Sequence, residues 1–232
     1  MSLTGLLLTG GYGPGRADLE PFLETVGPIV AADSGYDLAL SLGLRPDLIV
    51  GDMDSVRAER LPAERVRRFP RDKEHTDTEL GLHALQEFGC DRVVIAGGGG
   101  GRLDHLLFIA ALFEREAVPI CWVTAHEHVE AIRGSAAYCG CVGQTVSFLP
   151  LSCGAAIERS AGLRWPLDGL RWRPGEGGVS NVITASPMRV TVAAGALLMI
   201  RSFALHEVGL GPRQAPVAPI RKSRSGGQGP VG

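Results

Sequence analysis

The sequence predicts an α/β protein with a second, all-β part. A mainly parallel sheet covered by helices on both faces comes first, and an antiparallel sandwich or barrel follows. Two observations carry this reading. Short apolar runs alternate with helical periods over the first half, as a sheet buried on both faces requires. After about residue 126 the helical periods stop and β-rich pieces punctuated by Gly, Pro and Ser take over, which is the pattern of antiparallel strands.

Five runs read as strands: "GLLLT" (5–9), "PIVAAD" (28–33), "DLIVGD" (47–52), "DRVVIAG" (91–97) and "PICWVT" (119–124). Helical periods lie between them. Residues 34–42 form one. Residues 76–88 set Leu80, Ala84 and Phe88 on one face, and residues 103–116 gather Leu103, Leu106, Leu107, Ala110 and Phe113. The later strands are "HVEAIR", "QTVSFLP", "RVTVAAG" and "ALLMIRSF". The last 22 residues carry four basic side chains, no acidic one, and much Gly, Pro and Ser. They read as a disordered tail rather than a nucleic-acid arm. The expected division is therefore 1–126, 127–210 and a tail of 211–232.

Composition narrows the function classes. A chain of 232 residues can bury a substantial core. With 45% hydrophobic and 21% charged residues and a formal net charge of -2, it advertises no basic surface for nucleic acid. No apolar stretch approaches the roughly 20 residues that cross a bilayer, and the start lacks the basic region of a signal peptide. Cys90, Cys121, Cys139, Cys141 and Cys153 are odd in number and include no C-x-x-C pair. They read as reduced thiols of a cytoplasmic protein whose partners are small molecules or protein.

Ligands of an open parallel sheet bind beyond the carboxyl ends of its strands. "GGYGPG" (10–15) follows the first strand, Asp33 the second, Asp52 and Asp54 the third, and "GGGGGRLDH" (97–105) the run that starts at Asp91. The first loop spaces Gly10 and Gly15 like a P-loop, but Arg16 and Ala17 stand where Lys and Ser/Thr are required. Five glycines before a helix suit close approach of an anion to its N-terminus, with a plain solvated loop as the competing reading. Asp52 and Asp54, two apart in an extended segment, point the same way. They repel unless a hard cation such as Mg²⁺ lies between them, or serve merely as a cap and a turn residue. "RDKEHTDTELGL" (71–82) adds Lys73, Thr76 and Asp77 at a helix start, where they cap the helix or receive a polyphosphate and its metal. "AHEHVE" (125–130) lacks the H-E-x-x-H spacing of a zinc helix.

The series "AADSGYDLALSLGLRPDLIVGDMDSV", "KEHTDTELGL", "GGGGGRLDH", "GLRWPLDG" and "GVSN" resembles, in order and spacing, the thiamine pyrophosphokinase family. The resemblance covers about residues 1–205. It implies a Rossmann-like catalytic domain that binds nucleotide and metal, a C-terminal β-sandwich that binds thiamine, and a homodimer with active sites between subunits. It also implies transfer of a diphosphoryl group from ATP to the primary hydroxyl of thiamine, giving thiamine diphosphate and AMP. By the same resemblance Asp52, Asp54 and Asp77 look like Mg²⁺ carboxylates. Asp33, Lys73, Thr76, Arg102 and His105 look like nucleotide contacts, and Asp104 and Arg102 like catalytic groups. Trp165, Ser180 and Asn181 look like the thiamine side. An indole face against the thiazolium cation is worth roughly 0.5–2 kcal/mol, although Trp165 also reads as a core residue and Ser180 and Asn181 as turn residues. The chain departs from the family at Ser34 and Tyr36, in "DSGY" for "DGGA", and at Ile109, where an Asn is common. Two other readings remain: a related pyrophosphokinase for a hydroxymethylpterin, and a non-catalytic nucleotide sensor.

Overall fold

The computed structural model describes residues 2–58, 61–115 and 119–203; the tail expected at 211–232, residues 204–210 and the last residue of the expected 103–116 helix lie outside them, and within the described residues that helix already ends at Leu112. The first strand, β1 (Thr4–Leu8), is apolar on both sides because both of its faces are covered. It is followed by α1 (Arg16–Leu23), β2 (Val26–Ala32), α2 (Gly35–Ser41) and β3 (Leu48–Gly51). After a short 3₁₀ turn come β4 (Val66–Arg68), α3 (Asp77–Glu87), β5 (Arg92–Ala96), α4 (Leu103–Leu112) and β6 (Cys121–Val123). Strands β1 to β6 are parallel, in the spatial order β4-β3-β2-β1-β5-β6.

The parallel strands alternate their side chains between two cores. Leu7, Val30, Val50 and Ile95 pack with Leu80, Leu85, Ile109 and Phe113 of the α3 and α4 side. Leu6, Leu8, Ala31, Ile49 and Val94 pack with Leu19, Tyr36 and Ala39 of α1 and α2. This period of two across a doubly covered sheet is why the runs read as uninterrupted apolar sequence.

The remaining strands are β7 (Glu127–Ile132), β8 (Ser135–Tyr138), β9 (Thr145–Ala161), β10 (Arg171–Trp172), β11 (Gly178–Val182) and β12 (Met188–Ser202). β7 pairs antiparallel with β6, so the parallel and antiparallel portions form one twelve-stranded sheet. The two-domain expectation does not anticipate this continuity. The sequence pieces "RVTVAAG" and "ALLMIRSF" join into the single strand β12, which pairs with β8 near its start and β7 near its end. It bends between them where its register against β9 shifts. Gly195, at φ +77, permits the bend: a Cβ there would lie 2.0 Å from the Gly154 carbonyl oxygen of β9. A third core, with Phe148, Ile157, Ile183, Val190 and Leu197, fills this end. α1 was not foreseen, since Pro21 lies inside it and proline usually breaks such a pattern.

Candidate active site

β1 connects to β2 on one side while β5 lies against its other side. This is the switch point of the parallel strands, where loops diverge and leave a crevice. A cleft of ≈ 240 Å³ opens there, lined among others by Thr9, Gly11, Asp33, Asp77, Gly98 and Arg102.

Its acidic wall grows from the ends of β2 and β3. Asp33 and Met53 adopt left-handed backbone (φ 48 and 68), a strained conformation for residues with side chains. Gly51 (φ +137) sits between two approaching carboxylates: a Cβ on it would lie 2.9 Å from Asp77 Oδ1 and 3.2 Å from Asp33 Cβ. The stretch after β3 is a turn rather than the extended segment expected, because the Asp54 amide donates to Asp52 Oδ1 at 3.0 Å and Met53 reverses the chain. The two carboxylates nonetheless converge: ligand atoms of Asp33, Asp52 and Asp54 lie within 4.8 Å of one another. Asp77 is linked to that trio through Lys73, whose Nζ stands 3.2 Å from Asp77 Oδ1 and 3.7 Å from Asp52 Oδ2.

The carboxylates differ in environment. Burial pushes the Asp77 carboxyl above its ordinary range against the opposing pull of Lys73, and the Asp33 and Asp52 charges add to the rise. Hydrogen bonds from Ser55 and then Arg71 hold Asp54 below its range. Asp33 Oδ1 and Asp77 Oδ1 are buried without a hydrogen-bond partner, Asp77 Oδ1 having only the Lys73 charge beside it. Buried carboxylate oxygens left this way are costly. A hard divalent cation satisfies such oxygens, so the donor set fits Mg²⁺.

The opposite wall is backbone. Gly11 and Tyr12 of the first loop run against Gly99, with Tyr12 N to Gly99 O at 2.7 Å and the reciprocal bond at 3.0 Å. Gly97 (φ +103) lies so close to β1 that a Cβ would stand 2.2 Å from Thr9 O. The glycine run thus serves the contact between the two loops as well as any ligand. Beyond it, Arg102 grips Asp104 through Nε (3.1 Å) and Nη2 (2.5 Å), and the His105 amide donates to Asp104 Oδ1 at 3.0 Å. The pair is exposed at the cleft mouth. Asp104 therefore holds the Arg102 guanidinium at two points. Thr76 caps α3, accepting from Glu79 N at 3.2 Å, and also lines the cleft.

Trp165, Ser180 and Asn181 form a separate group. Asn181 is buried and Trp165 is 48% exposed, so the indole is not a core residue. Ser180 has φ 59 and donates its amide to Ser147 Oγ at 3.0 Å. β11, which carries Ser180 and Asn181, pairs with β9, and seven strand steps separate β9 from β3 in the sheet order. At ~4.8 Å per step this is roughly 34 Å along the sheet. These three residues do not line the acidic cleft.

Sequence reasoning missed Arg71, whose guanidinium lies on Asp54, and the buried Thr9–Thr78 hydroxyl pair at 3.1 Å. Arg71 had a signal in standing two residues before Lys73; the threonine pair had none. Of the departures, Tyr36 and Ile109 are core residues, and Ser34 packs against Gly10.

A switch-point crevice with carboxylates on one wall and close-packed glycine backbone on the other defines an α/β protein with a candidate ligand site at the carboxyl ends of its parallel strands. Comparison with known proteins shows what this arrangement is similar to. Residues 19–121 match the family model described as thiamin pyrophosphokinase, catalytic domain. The fold is similar to thiamine pyrophosphokinase from Bacillus subtilis (TM-score 0.72, 24% identity, 87% of this chain and 100% of that one). It is similar also to the enzymes from Geobacillus thermodenitrificans (0.67, 27%, 87% and 98%) and Candida albicans (0.68, 17%, 87% and 89%). No curated protein sequence matches the chain. The match over residues 19–121 agrees with the family that the motif series resembles.

Proposed function

We propose that the chain is a thiamine diphosphokinase, transferring a diphosphoryl group from ATP to the primary hydroxyl of thiamine and releasing AMP. The observation that carries this is the meeting of Asp33, Asp52, Asp54 and Asp77 opposite the glycine wall. The thiamine hydroxyl oxygen attacks the β-phosphorus, the bond from that phosphorus to the α–β bridging oxygen breaks, and the hydroxyl proton passes to solvent. The protein supplies no nucleophile, so positioning and charge neutralisation dominate.

Mg²⁺ would be held by Asp52, Asp54 and Asp77, with Asp33 adjoining, and when bound it neutralises phosphate oxygens. Lys73 and Arg102 add positive charge along the polyphosphate, with Asp104 orienting Arg102. Thr76 and His105 line the nucleotide's path, and the glycine loops, free of side chains, let the phosphates come close to the backbone. Trp165 offers its face to the thiazolium ring, held in place by Asn181, with Ser180 beside it. In this reading residues 1–126 are the Rossmann-like catalytic part and 127–210 the thiamine-binding sandwich.

The distance along the sheet between the acidic cleft and Trp165 supports a homodimer in which one subunit's cleft meets its partner's thiamine face. The described residues contain no helix long and apolar enough to cross a membrane, and the unpaired cysteines support a cytoplasmic setting. The decisive assay supplies ATP, Mg²⁺ and thiamine and follows AMP and thiamine diphosphate together. No AMP release would favour a nucleotide sensor, and preference for hydroxymethylpterin would favour the related kinase. Mixing Asp52→Asn with Trp165→Ala subunits should restore part of the lost turnover; no recovery would place the whole site within one subunit.

A further inference from the structure

Among the described residues, two cations answer the four carboxylates, and they are held differently. Lys73 is built in, with its side chain only 13% exposed between Asp52 and Asp77. Arg71 reaches in from outside: its side chain is 79% exposed, yet its Nε donates to Asp54 Oδ2 at 2.7 Å and its Nη2 touches the same oxygen. The Nε also stands 4.0 Å from Asp52 Oδ2. The guanidinium therefore lies on two of the three carboxylates that converge closely enough to share an ion. An ion pair this exposed contributes little stability, so exchanging it costs little. Guanidinium binds carboxylate and phosphate with the same planar fork and keeps its charge throughout.

We propose that Arg71 is a resident counter-cation of the acidic cluster. It competes with a divalent ion for Asp52 and Asp54, and on its displacement it swings on its exposed stem to the incoming polyphosphate. The cluster is thereby never left with all four negative charges facing only Lys73, and a second positive group reaches the phosphates as the ion arrives. The inference rests on the reading of the site as a metal- and nucleotide-binding one, and it makes Arg71 a positioning residue first and a phosphate contact second.

The test measures Mn²⁺ binding by the paramagnetic resonance of the free ion, using the full chain without nucleotide. Arg71→Gln should bind Mn²⁺ about tenfold more tightly than the wild type, since the ion no longer has to displace a unit charge seated on Asp52 and Asp54. Arg71→Lys, which keeps the charge, should stay near the wild-type value. Equal or weaker binding by Arg71→Gln overturns the competition. With a non-hydrolysable ATP analogue present the order should reverse, Arg71→Gln holding the analogue about tenfold less tightly, the loss expected of one charge-assisted phosphate contact. Unchanged analogue affinity overturns the transfer to phosphate. A wild type that releases AMP beside an Arg71→Gln variant with unaltered Mn²⁺ affinity refutes the Arg71 proposal alone. A wild type that neither binds Mn²⁺ nor releases AMP refutes the site reading, and this proposal with it.

Discussion

Asn181 and Trp165 are joined by two hydrogen bonds: Asn181 Nδ2 donates to the Trp165 carbonyl at 2.7 Å, and the Trp165 amide donates to Asn181 Oδ1 at 3.2 Å. The buried amide fixes the backbone that presents an exposed indole. Asn181→Ala leaves both backbone groups without their partner, which costs about 1–3 kcal/mol. It should also raise the KM for thiamine more than that for ATP. Urea unfolding and steady-state kinetics check this, and equal effects on both substrates would separate Asn181 from the thiamine side.

Asp52→Asn should lower turnover at least about a hundredfold, as loss of one preorganised charge does. The fold should stay intact because the residue compensates charge rather than packing. Circular dichroism and the AMP-release assay together test it; near-normal turnover would dismiss a metal role for Asp52.

Lys73→Met removes the buried charge that Asp52 and Asp77 share. The variant should melt at a lower temperature than the wild type in chelator, by the equivalent of about 1–3 kcal/mol once partial solvent exposure is allowed for. Added Mg²⁺ should recover part of that loss. Melting curves that coincide in chelator would contradict the account.

Gly97→Ala places a methyl group 2.2 Å from the Thr9 carbonyl oxygen at φ +103. Strain of about 1–3 kcal/mol is expected, together with weaker ATP binding as the two loops part. Urea unfolding and calorimetric titration with the ATP analogue measure the two consequences in turn; unaltered stability and affinity would show that the loops tolerate separation.

Burial, and then the Arg201 charge, push the His128 imidazole down to about 4. Arg201 Nη2 donates to its Nδ1 at 2.8 Å, so Nε2 carries the proton and faces Glu130 Oε1 at 3.1 Å and Cys121 Sγ at 2.6 Å. The group is charged in the unfolded chain below about pH 6.5 but neutral in the fold until about pH 4. The unfolded state therefore binds more protons between those values, and stability should fall as pH drops through that window, by about 2–3 kcal/mol. His128→Gln should flatten the dependence in urea unfolding at pH 7 and pH 4.5. Parallel curves for the two proteins would assign the loss to other groups.

Much of this was legible in the chain. The doubly buried strands announce themselves through unbroken apolar runs, and strand-end position alone singled out Asp33, Asp52, Asp54 and the glycine run. What escaped has a common cause. Arg71 acts through a long side chain whose direction no spacing rule fixes, and Asp33 joins the carboxylate trio only because Gly51 lets two strand ends close in. The bend of β12 likewise depends on Gly195 meeting Gly154 across a strand pair, a contact between positions 41 residues apart. Local periodicity carries no trace of such meetings.

The pairing of β6 with β7 has a mechanical consequence. Because backbone bonds stitch the parallel and antiparallel regions edge to edge, the subunit cannot shut like a jaw around its substrates. Enclosure of the reaction has to come from side chains and loops at the crevice rim, or from a neighbouring molecule laid across it.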